Sequence, residues 1–123
     1  MDQSLKFTED HEWVKIEGNR AYIGISDYAQ HAMGDVVFVE LPQAGQEIKK
    51  GGPLGVVESF KSTSDILSPV SGKVLEINQE LSDKPEKLNE APYEAWIAVL
   101  ETGDEVDELM SPSDYEEYVK TIA

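Results

Sequence analysis

The side chains that could carry chemistry in this sequence are few. It holds no cysteine, which removes thiolate nucleophiles, disulfides and thiolate zinc sites together. Two histidines, His11 and His31, are too few for a typical histidine-based metal site, so no metal is expected. Serines are plentiful, but no Gly-x-Ser-x-Gly elbow presents one as a nucleophile, and no Walker loop or Gly-x-Gly-x-x-Gly turn follows a strand. With 25 aspartates and glutamates in the chain, carboxylate pairs arise by chance, and no single pair marks an acid–base site. One lysine stands apart by its setting. Lys61 falls at a tip, Phe60-Lys61-Ser62, between two strand-like runs, Leu54 to Ser59 and Thr63 to Leu67. A lysine fixed at a tight turn, clear of the body, is one that a modifying enzyme can read by shape. On spacing alone it is more simply an ordinary solvated turn lysine, with Glu58 and Asp65 as solvated flanks.

The elements that must hold this hairpin are mostly strands. Trp13 to Ile16 and Ala21 to Ile25 flank a turn, Glu17-Gly18-Asn19-Arg20. Ser26 is placed to cap a short helix, Asp27 to Met33, that Gly34 ends. Val36 to Val39 is a β-branched strand stopped by Pro42 and Gly45. Lys49-Lys50-Gly51-Gly52-Pro53 turns the chain into the Lys61 hairpin. Ser68-Pro69-Val70-Ser71-Gly72 turns it out again, into a strand over Lys73 to Ile77. Residues 78–92 are polar, hold Pro85 and Pro92, and are expected to be mostly loop. Trp96 to Leu100 reads as a final buried strand. A small turn around Val106, Leu109 and Met110 follows. Then come Ser111 as a cap, Pro112 at the first helical position, and an apolar stripe of Tyr115, Tyr118, Val119 and Ile122. The spacing Gly34-x-Val36-Val37-x-Val39 recurs 38 residues on as Gly72-x-Val74-Leu75-x-Ile77, with the Lys61 tip between. These features predict one mainly β domain over 1–123, with a core over about 7–100 and a C-terminal helical segment over about 104–123. Its expected form is a sandwich of two small sheets or a flattened barrel with pseudo-twofold symmetry, a short helix near 26–33, and C-terminal helices.

Composition narrows the partners. The chain has 123 residues, 40% of them apolar, enough for a modest core. Ten lysines and arginines against 25 acids leave a formal charge of −15. That argues against nucleic acid, whose phosphates demand a basic surface, and against an anionic membrane face. It suits steering toward basic patches on protein partners, or simply solubility. No run reaches the roughly 20 apolar residues of a membrane span. The N-terminus, MDQSLKFTED, lacks the apolar core of a signal peptide and any arginine-rich amphipathic pattern. If Met1 is the true start, the expected location is the cytoplasm, as for a bacterial-type protein; a processed organellar form stays open.

The segment from Val56 to Gly72 resembles the lipoyl attachment site of glycine cleavage H proteins. The family pattern is Val-Glu-Ser-x-Lys-x-x-Ser-Asp, followed by Ser-Pro-x-Ser-Gly. It is matched at Val57, Glu58, Ser59, Lys61, Ser64, Asp65, Ser68, Pro69, Ser71 and Gly72. The resemblance continues almost end to end, through His11-Glu12-Trp13-Val14, Ala21 to Ile25, Gly34 to Pro42, Leu88-Asn89, Pro92-Tyr93, Trp96 and the acidic C-terminal segment. The sequence departs from the family at Tyr28 and Ala32, where histidines occur in other members, at Phe60, where Val is usual, and at Ala95, where Gly is usual.

That resemblance implies a lipoyl/biotinyl-type fold with lipoic acid amide-linked to Lys61. It implies a carrier in glycine catabolism and one-carbon metabolism, a substrate of its partners and itself no catalyst. A pyridoxal-phosphate glycine decarboxylase (P-protein) would load an aminomethyl intermediate, an aminomethyltransferase (T-protein) would unload it, and dihydrolipoamide dehydrogenase (L-protein) would reoxidise the arm. A lipoate ligase or lipoyl transferase would attach the arm, reading a hairpin that includes Glu58, Ser59 and Asp65. The loaded arm would fold into a groove lined by Glu12 and Asp65, with Ile25 as its apolar wall; a carboxylate suits the amine of the intermediate. A related role, relaying lipoate to other lipoyl-dependent enzymes, is the alternative. A biotin carrier would favour Met beside the lysine. A lipoyl domain of a 2-oxo acid dehydrogenase would lack the His-Glu-Trp segment and the C-terminal helices.

Overall fold

β-Branched and aromatic residues draw the first part of the chain into an antiparallel meander. The computed structural model, which describes residues 3–122, forms it from β1 (Leu5–Phe7), β2 (Glu12–Glu17) and β3 (Arg20–Ile25). Ser26 then caps α1 (Asp27–Met33), its Oγ accepting the Ala29 N–H at 3.1 Å. The helix ends where the Gly34 N–H reaches the Gln30 carbonyl. Next come β4 (Val36–Glu40), the two-residue β5 (Glu47–Ile48), the hairpin strands β6 (Pro53–Ser59) and β7 (Thr63–Leu67), and β8 (Gly72–Ile77). Two short helices, α2 (Glu80–Asp83) and α3 (Lys87–Glu90), lead to β9 (Ala98–Glu101) and α4 (Pro112–Ile122).

The strands make two sheets, a six-stranded one in the order β1-β2-β3-β9-β8-β5 and a three-stranded one in the order β4-β6-β7. One apolar cluster takes Val14, Ile23, Val74 and Leu100 from the first sheet and Val39, Val57 and Ile66 from the second. The arrangement is therefore a sandwich, and not a closed barrel. A second cluster, Leu5, Phe7, Trp13 and Tyr115, seats α4 on β1 and β2. The indole of Trp13 lies flat across β3, and a Cβ on Gly24 would come 2.6 Å from its ring carbons, so only glycine fits there. The Trp13 Nε1–H donates to the Pro92 carbonyl at 3.0 Å.

Several expectations need correction. Residues 78–92 are not mostly loop: α2 and α3 each bury one leucine completely, Leu81 and Leu88, which repays helix formation even between prolines. The last strand begins at Ala98, because the Trp96 carbonyl is taken by the Asn78 side chain at 2.8 Å. One helix, not several, follows residue 104 among the described residues. The two copies of the Gly-x-Val repeat lie in different sheets of unequal size, β4 at an edge and β8 inside the larger one.

Candidate functional site

The β6–β7 hairpin presents Lys61 at its tip, exposed to solvent. Ser59 locks the turn. Its N–H donates to the Ser62 carbonyl at 2.8 Å, and its Oγ accepts the N–H groups of Ser62 at 3.1 Å and Lys61 at 3.4 Å. Serine suits this position because its hydroxyl closes a turn on its own backbone. The tip also leans on the α1–β4 junction. The Phe60 N–H donates to the Asp35 carbonyl at 3.3 Å. The Lys61 Cε lies beside Gly34, where a Cβ would stand in ordinary contact with it at 3.4 Å. Gly34 has φ +84°, which also favours glycine.

That junction is fixed from below by Asn89 of α3. Its Nδ2 donates to the Gly34 carbonyl at 3.0 Å and to Gln30 Oε1 at 2.9 Å, while its Oδ1 accepts the Val36 N–H at 2.9 Å. One amide thus holds the end of α1, the start of β4 and the platform beneath Lys61.

The carboxylates expected near the arm are placed differently from one another. Asp65 and half-buried Glu58 lie on the hairpin itself, Asp65 exposed and opposite Val56, Glu58 opposite Thr63. Glu12 is only 3% exposed. Thr8 Oγ1 donates to its Oε1 at 2.6 Å, and the Leu67 N–H donates to its Oε2 at 3.3 Å, so Glu12 ties β2 of one sheet to the end of β7 in the other. Burial pushes its pKa above the ordinary carboxylate value, against the lowering pull of these two donors. Ile25, its cross-strand partner, is 2% exposed and packs inside the core.

A second polar chain joins α4 to α1. Tyr115 Oη shares hydrogen bonds with His11 Nδ1 at 2.8 Å and Ser26 Oγ at 2.7 Å. Burial pushes the Tyr115 phenol up to about 12 and pulls the His11 imidazole below its ordinary value. His11 sits in left-handed backbone, φ 73°, and its ring lies 4.7 Å from that of Tyr28. His31 is exposed on the last turn of α1.

Lys61, Glu58, Ser59 and Asp65 thus share one hairpin, Glu12 reaches that hairpin's base, and Ile25 lies behind it in the core. Sequence reasoning missed Thr8 and Asn89 as supports; Leu88-Asn89 stood out only as a family segment. Surface hollows of about 480 Å³, between Ile16 and Val106, and about 320 Å³, between Tyr28 and Val119, do not include Lys61.

Comparison with known proteins gives a consistent result. The family model described as glycine cleavage H-protein matches residues 5–122. A glycine cleavage system H protein of Halalkalibacterium halodurans is 52% identical over 122 residues, covering 97% of this chain and 95% of that protein. One of Staphylococcus saprophyticus is 53% identical over 118 residues, covering 94% of each. The crystal structure of a glycine cleavage system H protein from Mycobacterium marinum superposes with a TM-score of 0.89 at 33% identity, covering 98% of this chain and 99% of that one.

Proposed function

This chain belongs to the glycine cleavage H-protein family, and on that footing we propose that Lys61 is the residue on which it carries its lipoyl group. Its work is that of a lipoyl carrier in the glycine cleavage system, not of a catalyst. The observation that carries the Lys61 assignment is the tip itself: an exposed lysine on a turn braced by the Ser59 hydroxyl and the Asp35 backbone carbonyl. Attachment forms an amide between Lys61 Nζ and the carboxyl carbon of lipoate activated by ATP as the acyl adenylate; the acyl–phosphate bond breaks, AMP leaves with a proton from the amine, and the lysine charge is lost. When bound, the dithiolane supplies the redox sulfurs that take up and release an aminomethyl group, chemistry a cysteine-free chain lacks.

The chain's own residues then position and shield. Ser59 and Asn89 keep the base of the arm at one place. Asp65 on β7 offers an exposed carboxylate to an amine folded back along the hairpin, in a groove backed by buried Glu12, which bonds the same strand at Leu67, and by Ile25 from inside the core. The partners we assign are the P-, T- and L-proteins and a lipoate ligase or lipoyl transferase, working in the cytoplasm. Among the described residues no helix is long and apolar enough to cross a membrane.

The test is intact mass with peptide mapping after incubation with ligase, ATP and lipoate. Lys61 should be modified completely, and Lys61→Arg should stay unmodified, because a guanidinium is not a usable nucleophile near neutral pH. Modification of Lys73 or Lys84 instead would overturn the assignment. A lipoylated chain that glycine and the decarboxylase do not load would point to the lipoate-relay role.

A further inference from the structure

Large apolar side chains reach water at few places among the described residues. Phe60 is 82% exposed, Phe38 51% and Val37 44%. All three stand at one end of the three-stranded sheet. Phe60 is the residue before Lys61. Val36 pairs with Ser59 and Phe38 with Glu58, and the register shift between them inserts Val37 as an extra residue. Such a bulge turns successive side chains outward where a regular strand would turn one in. The remaining exposed large apolar residue is Ile122, at the end of α4. Single apolar residues scattered over a surface need no explanation, but a concentration beside one functional group does. Carboxylates accompany it: Glu58 opposite Phe38, Asp35, whose backbone carbonyl accepts the Phe60 N–H, and Asp65 on β7.

We propose that Phe60, Phe38 and Val37 form a docking collar for the enzyme that attaches lipoate to Lys61, and that the surface it meets is an apolar socket rimmed by basic residues. The inference rests on the Lys61 reading above. The occupant follows from reach. Before modification the reacting atom is the lysine Nζ itself, which must come within about 3–3.5 Å of an activated carboxyl. The attaching enzyme must therefore grip the turn closely. Once the long arm is in place, the reacting sulfurs are at its far end, so enzymes that receive them need not bring their reacting groups to the lysine nitrogen itself. The acids beside the collar select a cationic rim, consistent with the chain's charge of −15.

The test uses the full-length unmodified chain and purified lipoate ligase with ATP and lipoate, followed by intact mass over time. The double variant Phe60→Ser/Phe38→Ser should lower kcat/KM for attachment by about tenfold or more, through KM, as loss of an apolar anchor does. Phe60→Leu should stay near wild type, and Ile122→Ser, remote in the sequence, should change nothing. After complete lipoylation at high ligase, glycine-dependent loading of the double variant by the decarboxylase should remain within about threefold of wild type. Circular dichroism and thermal unfolding check that these exposed changes leave the fold intact. An unchanged KM in the double variant, an equal loss in Ile122→Ser, or an equal loss in the loading step would overturn the collar. Peptide mapping separates this from the underlying reading: wild-type modification away from Lys61 removes the attachment site, whereas normal modification of Lys61 in the double variant removes only the collar.

Discussion

Glu12 is a carboxylate kept almost dry, and that has a signed consequence for pH. Burial raises its pKa above 4.5, so the folded chain holds this proton more tightly than the unfolded chain does. Its contribution to stability is fully present below about pH 4.5 and is lost as pH rises through the raised value. Glu12→Gln keeps the shape and an acceptor for the Leu67 N–H but removes the titration. Measured by urea unfolding from pH 4.5 to 7, wild type should lose stability relative to Glu12→Gln as pH rises; parallel curves would show that the carboxylate is not the origin. Residues of this kind divide by the range of their partners. Ser26 was legible as a cap, because it bonds a backbone group three residues on, whereas Ser59 stood out only through the family pattern and was read as the end of a strand, although it too bonds a backbone group three residues on. Asn89 was not, because its partners lie 53 to 59 residues away and nothing local marks them.

Among the elements, α1 and the β6–β7 hairpin could be read almost to the residue, since caps, glycines and β-branched runs announce them locally. β1 and β5 could not: strands of three and two residues have no pattern of their own and exist through their neighbours. The docking of α4 is a similar long-range matter, and it yields two expected outcomes. Tyr115→Phe keeps the stack on Phe7, at 4.3 Å between centroids, but deletes the bonds to His11 and Ser26. It should cost about 1–2 kcal/mol in chemical unfolding, with α4 amides exchanging faster than those of β2 and β3. Gly24→Ala drives a methyl into the Trp13 indole between two strands that cannot move apart, and should cost about 1–3 kcal/mol. A Gly24→Ala protein as stable as wild type would mean that the indole swings clear.

At the scale of the molecule, the surplus of acids is its widest-reaching property. A charge of −15 on a small carrier sets a field that partners feel before contact. Association with the decarboxylase should slow as salt rises, since the screening length shrinks from about 30 Å at 0.01 M to about 3 Å at 1 M. Stopped-flow rates that stay flat across that titration would remove steering from the account. The mainly β class and the choice of a tip lysine followed from local patterns and from family resemblance. The unequal partition into six and three strands did not, because sheet membership is decided by which apolar faces meet, and several strands of similar composition could have paired otherwise.

The seven-residue helix α1 is fastened at both ends. Its Ser26 end is bonded to Tyr115 of α4, and its Gly34 end is gripped by Asn89 and lies under the Lys61 side chain. A rod about 10 Å long, held at both ends, is expected to pass a displacement at one end on to the other. On that expectation α1 would work as a lever, with α4 as its handle and the lysine tip as its load. Loosening α4 in Tyr115→Phe should therefore shift the amide resonances of Gly34 and Lys61, far from the altered phenol, while leaving those of the β2–β3 turn in place.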